Sequence, residues 1–146
     1  MKDRVRKNTS QKVNEEIDRK LQESIDCYKG KDEAEISKRI EKLDREWDIE
    51  RVLEVNMSTV ALSGVALGAF QNRKWLLLPG MVLSFFAQHA IQGWCPPLPL
   101  FRRLGFRTRK EIDKEKYALK LLRGDFDHVA NNGETQNTRQ IVQAVS

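Results

Sequence analysis

Apolar positions along this chain change their spacing twice. Between Ser10 and Tyr28, Val13, Ile17, Leu21, Ile25 and Tyr28 recur at steps of four, four, four and three, which places them on one narrow face of a charged helix. Gly30 supplies a stop, and Asp32 followed by Glu35 has the spacing of a capping box that opens a second helix. The stripe of that helix is Ile36, Ile40, Leu43 and Trp47, with Glu35–Arg39 and Glu41–Arg45 pairs one turn apart. The two stripes predict a charged helical hairpin or a coiled-coil contact over residues 1–50, with a solvated helical pair as the plainer alternative.

The middle of the chain obeys a different rule. No Gly or Pro lies between Asp32 and Ser63, so the second helix is expected to run on into Val52–Phe70, and from Val55 to Asn72 there are 18 residues without a formal charge. At about 1.5 Å per residue this approaches a hydrocarbon core roughly 30 Å thick. After the loop Gln71-Asn-Arg-Lys74 a second uncharged run covers the 27 residues Trp75–Phe101. Trp75 and Trp94 bracket its helical part at roughly 28 Å, the separation of two interfacial aromatic belts. Pro79 falls near the first turn, where a missing amide donor costs least. The expected fold is all-α: a two-helix transmembrane hairpin over residues 51–95, with spans at about 52–71 and 75–94, behind a charged N-terminal helical hairpin. A buried hairpin in a soluble protein is the competing reading, but neither span keeps the charged face such a helix shows to water.

Mean hydropathy, −0.60, describes a polar protein only because it averages over these regimes. Residues 1–50 carry 13 Lys/Arg against 14 Asp/Glu, residues 51–101 carry 3 against 1, and residues 102–146 carry 10 against 6. Basic side chains flank the outer ends of both spans, whereas the connecting loop has only Arg73 and Lys74, so both termini are expected in the cytoplasm. The first 30 residues lack the apolar core of a cleaved signal, which leaves the chain's own spans as the anchor. Residues 96–124 form a basic juxtamembrane segment in which Arg102, Arg103, Arg107, Arg109 and Lys110 are expected to contact lipid head groups. Thr108 and Glu111 have capping-box spacing, and the amphipathic helix they open, with Ile112, Leu119 and Leu122 on one face, either lies on the membrane or docks on the N-terminal pair. No series of stacking aromatics accompanies the basic residues, which argues against nucleic acid. Residues 125–146 read as a polar, disordered tail.

Candidate chemistry is sparse. Gly64 and Gly68 form a GxxxG with Ala61 and Met57 on the same face, a surface on which a partner helix packs, either the second span or another copy. At 100° per residue Ser84, Gln88, Gln92 and Cys95 fall within about 60° of one another, a polar stripe that needs protein or a wet path beside it, with His89 about 100° away. Cys27 and Cys95 are the only cysteines, and their spacing is neither a disulfide framework nor a metal site. Near Arg102 and Arg103, Cys95 is a candidate reactive thiol, with a structural cysteine at the helix end as the alternative. No phosphate loop, carboxylate pair or metal-spaced cluster occurs, so no catalytic residue, cofactor or metal is expected.

The corner Gly93-Trp94-Cys95-Pro96, followed by Leu104-Gly105 and Thr108, resembles the YgaP-like inner-membrane transmembrane domain family of bacteria. The resemblance covers roughly residues 52–124 and is closest in HAIQGWCPPLP, RRLGFRT and EKYALKLLRGDF. It implies a dimeric two-helix hairpin in the bacterial inner membrane. Some relatives fuse that hairpin to a rhodanese domain, which this sequence does not contain, so no catalytic residue transfers. The expectation is a non-enzymatic membrane scaffold or interaction module that self-associates through Gly64 and Gly68 and engages a cytoplasmic partner. The alternative is an accessory to sulfur or thiol handling, or to small-anion passage, that uses Cys95.

Overall fold

The computed structural model describes residues 3–126, and every regular element among them is helical. The helices are α1 (Arg4–Lys7), α2 (Gln11–Tyr28), α3 (Glu33–Arg45), α4 (Ile49–Phe70), α5 (Leu77–Gln92), α6 (Leu98–Arg103) and α7 (Arg109–Arg123), with a 3-10 turn at Arg73–Leu76. Most of the expected polar tail lies outside the described residues. The described chain forms two compact units, one joining residues 3–17 to 47–109, the other joining 18–46 to 110–126.

The second unit contains most of α2, with α3 and α7. Asp32 caps α3 by accepting from the Glu35 amide at 2.8 Å. Three of the four predicted α3 stripe positions hold: Ile36, Ile40 and Leu43 are buried with Ile112 and Leu119 of α7, and Tyr28 packs against them, whereas Trp47 falls beyond the end of α3 and is 45 % exposed. α7 is therefore a packed helix, and of its two expected settings the structure takes docking. Its charged side chains point inward because α2 and α3 supply partners. Glu115, fully buried, accepts from Arg39 Nε and Nη2 at 2.9 and 2.7 Å and from Ser24 Oγ at 2.6 Å. Lys116 donates to Asp44 at 2.7 Å, while burial, reinforced by Lys116, pushes the Lys120 ammonium below its ordinary value. Arg123 grips Asp125 with two bonds and Ser37 with a third.

In the first unit the expected continuous helix is broken. α3 stops at Arg45, Glu46 turns extended with ψ 132°, and Asp48, with ψ 163°, accepts from the Arg51 amide at 2.8 Å to cap α4. An aspartate offers the first-turn amides a side-chain acceptor only from an extended backbone, so Asp48 starts a helix where no Gly or Pro ended one. The expected pair of spans needs a second correction. One stretch, Glu33–Phe70, contains a helix long and apolar enough to cross a membrane, and its apolar part is α4, about 33 Å long. α5 falls short at about 24 Å. Asn72 caps a 3-10 turn that consumes Trp75 and Leu76, and Gly93, at φ 75°, closes the other end before Trp94.

α4 and α5 nevertheless pack as an antiparallel hairpin. The buried face of α4 is Ile49, Leu53, Met57, Gly64 and Gly68. A Cβ on Gly64 would sit 2.6 Å from Pro79 Cδ, and one on Gly68 would sit 2.6 Å from Leu76 Cδ2. The glycine face is filled by the same chain's return segment, which is one of the two partners expected for it.

Candidate functional site

The open end of the hairpin, where α4 begins and α5 ends, is where chemistry-bearing residues gather. α5 terminates in Gly93, whose left-handed φ and whose amide, donating to His89 O at 2.7 Å, form the helix stop. That leaves the last carbonyls of α5 without partners in the helix. α1 supplies them. Arg4 Nη1 donates to Ala90 O at 2.7 Å and to Ile91 O at 3.2 Å, and Asn8 Nδ2 donates to Gln92 O at 2.9 Å. A guanidinium at this end also opposes the negative pole of the helix dipole. The approach is so close that a Cβ on Gly93 would lie 2.5 Å from Arg4 Cβ and 3.0 Å from its carbonyl carbon, so glycine is required there for space as well as for φ.

Beneath α1 lies an apolar cluster of Val5, Ile49, Leu53, Met57, Cys95 and Leu98, with Val82, Phe86, Phe101 and Phe106 against it. Phe101 and Phe106 meet edge to face at 5.8 Å. The chain beyond the corner is fastened to segments distant in sequence through Thr108, Arg107 and Arg102. Thr108 Oγ1 donates to Asp3 Oδ2 at 2.9 Å, and the other oxygen of Asp3 caps α1 at Arg6. The Ile49 amide donates to Arg107 O at 2.9 Å. Arg102, 1 % exposed, donates to Thr9 Oγ1, Asn14 Oδ1 and Phe106 O at 3.2, 3.0 and 3.0 Å.

These positions revise several expected roles. Arg102 is a structural pin, because its guanidinium is spent on oxygens inside the unit, leaving Arg103 and Arg109 exposed and Arg107 half-buried. Lys110 is exposed in the second unit. Cys95 does not join the polar stripe, since the left-handed Gly93 breaks the 100° count before it reaches residue 95. On α5 Ser84 and Gln92 are exposed and Gln88 is half-buried, with Ser84 Oγ bonded to Gly80 O at 2.8 Å and Gln88 reaching Gln92 at 3.5 Å. His89 Nδ1 is buried without a hydrogen-bond partner among the described residues.

Cys95 itself is fully buried, whereas Cys27 is exposed. Burial pushes the Cys95 thiol above its ordinary value, offset in part by a backbone hydrogen bond from Leu98. A buried, protonated thiol is a poor nucleophile, whatever arginines stand nearby in sequence. No group of His, Cys, Asp and Glu suited to a metal occurs among the described residues. We expect iodoacetamide to modify Cys27 rapidly in the folded chain and Cys95 roughly a hundredfold more slowly, the protection afforded by an opening that costs about 3 kcal/mol. The sign with pH follows from the raised value. The folded state favours the protonated thiol, so this contribution to stability is intact below the ordinary thiol range and fades as pH climbs through it. Mass-spectrometric labelling rates at neutral and alkaline pH, with urea-unfolded chain as the reference, check both statements.

No family model matches the chain, and neither a curated protein nor a solved structure matches it.

Proposed function

We propose that this chain is a non-enzymatic integral protein of the bacterial inner membrane, whose α4–α5 hairpin is the embedded scaffold and whose second helical unit is a cytoplasmic interaction module. One observation carries the reading. The hairpin fills its inner face with Gly64, Gly68 and Pro79, yet large apolar side chains cover its outside: Leu62, Phe70, Leu77, Met81, Leu83 and Ile91 are 57 to 92 % exposed. Water would oppose so much exposed apolar surface, and acyl chains would not.

The polar groups of the hairpin fit the same solvent. Thr59 and Ser63 of α4 and Ser84 of α5 each donate to the carbonyl four residues back, at 2.7 to 2.8 Å, so their hydroxyls need no water. α5 alone is too short to cross, and a second crossing in this proposal engages the end of the 3-10 turn as well, Trp75 to Gln92 measuring roughly 28 Å. The bracketing charges favour cytoplasmic termini, and the YgaP-like resemblance of the corner favours a bacterial inner membrane. Self-association keeps a place in the proposal only through an outer face of the hairpin, because Gly64 and Gly68 are occupied. A role for Cys95 in sulfur handling or anion passage gains nothing from a thiol sealed in an apolar cluster.

The test is fractionation of the full chain. We expect it to remain with membranes through an alkaline carbonate wash and to require detergent for release. Recovery in the soluble fraction would overturn the proposal.

A further inference from the structure

We propose that α6 is an interfacial anchor whose outer face is laid against the anionic phospholipid leaflet beside the end of α5. The inference rests on the membrane reading above and deepens it by naming what covers this face.

The two sides of α6 differ in kind. Leu98 and Arg102 point into the first unit and are 0 and 1 % exposed, with Phe101 half-buried beside them. At 100° per residue, Leu100, Arg103 and Leu104 occupy the opposite arc, spanning about 100°. Leu100 is 59 % and Leu104 66 % exposed, and Trp94, at the corner just before α6, keeps 36 % of its surface. A short helix facing water would put polar residues on that arc, and this one puts two adjacent leucines there, with an exposed arginine at one edge. The pattern suits the boundary of a bilayer, where leucines enter the upper acyl region, tryptophan sits at head-group depth and a guanidinium meets phosphate. Charge complementarity selects an anionic leaflet, since Arg107 and Arg109 follow Arg103 with no acidic residue between Arg102 and Lys110. α7 cannot supply this contact from its packed face, as Lys116 and Lys120 are buried in the second unit.

A probe on the outer arc reads the depth directly. In the full chain with Cys27→Ser, leaving the buried Cys95 in place, a bimane is attached at Leu104→Cys or, as the hairpin control, at Leu62→Cys. Each protein is reconstituted into phosphatidylcholine vesicles carrying brominated phosphatidylglycerol, and circular dichroism verifies that helix content is kept. We expect quenching at both positions, stronger from shallow than from deep bromines at 104. Arg103→Gln should lower the preference of position 104 for phosphatidylglycerol over phosphatidylcholine by about fivefold. Quenching at 62 with a water-exposed probe at 104 would overturn this proposal and leave the membrane reading standing. Absence of quenching at both positions would overturn both. Quenching at 104 indifferent to lipid charge and to Arg103→Gln would overturn the anionic assignment.

Discussion

Replacing Gly64 with alanine should loosen the α4–α5 pair by about 1–3 kcal/mol, the usual cost of forcing a methyl into a filled contact. The new Cβ would meet Pro79 Cδ at 2.6 Å, and a pyrrolidine ring has no rotamer by which to retreat, so the helices themselves must separate. Gly68→Ala meets Leu76 Cδ2 at the same 2.6 Å, but that leucine is 47 % exposed and its side chain can swing outward. The two substitutions should therefore differ, with Gly64→Ala the more damaging, when unfolding in detergent micelles is followed by helix content. Equal effects would show that the glycines serve only to bring backbones close, with no special part for the proline.

In the second unit the largest loss should come from Glu115→Ala. A fully buried carboxylate holds the Arg39 guanidinium, whose side chain is only 19 % exposed, together with the Ser24 hydroxyl. Removing it strands a largely buried cation, which costs 3–5 kcal/mol when burial is complete and about 3 kcal/mol where the arginine retains some water. Amide exchange across α7 in the full chain should accelerate by roughly a hundredfold. Replacing both partners together, Arg39→Met with Glu115→Leu, should recover most of the protection, since no orphan charge remains. Failure of the double variant to recover would mean that the pair specifies the packing of α7 and does not merely satisfy itself.

How far the sequence reveals this architecture depends on whether a feature is repeated or singular. Ile36, Ile40 and Leu43 are legible because helical burial recurs every three or four residues, and the Asp32 cap because its acceptor and amide are local. Gly64 and Gly68 are legible as a packing face, though not their occupant, which depends on where Pro79 arrives after the turn. α1 is invisible for the opposite reason. Four residues carry no periodicity, and their helix exists because Arg4, Asn8 and Asp3 find acceptors and donors 84 to 105 residues away. Arg102 hides within a run of arginines that composition alone assigns to a surface. Only its place on α6, a helix turn after Leu98, distinguishes it from Arg103.

The attachment of α1 also constrains the order in which the molecule can be made. Chains emerge from their N-termini, so Arg4 waits for Ala90 and Asp3 waits for Thr108, closing loops of 86 and 105 residues. Both hairpin helices must be in place before the single turn that completes them can settle. Until then the last carbonyls of α5 and the apolar cluster around Cys95 stand open, and the nascent protein is most exposed to aggregation in that interval. A bulky fusion placed just ahead of α1 would prolong the interval even if the finished fold could accommodate it.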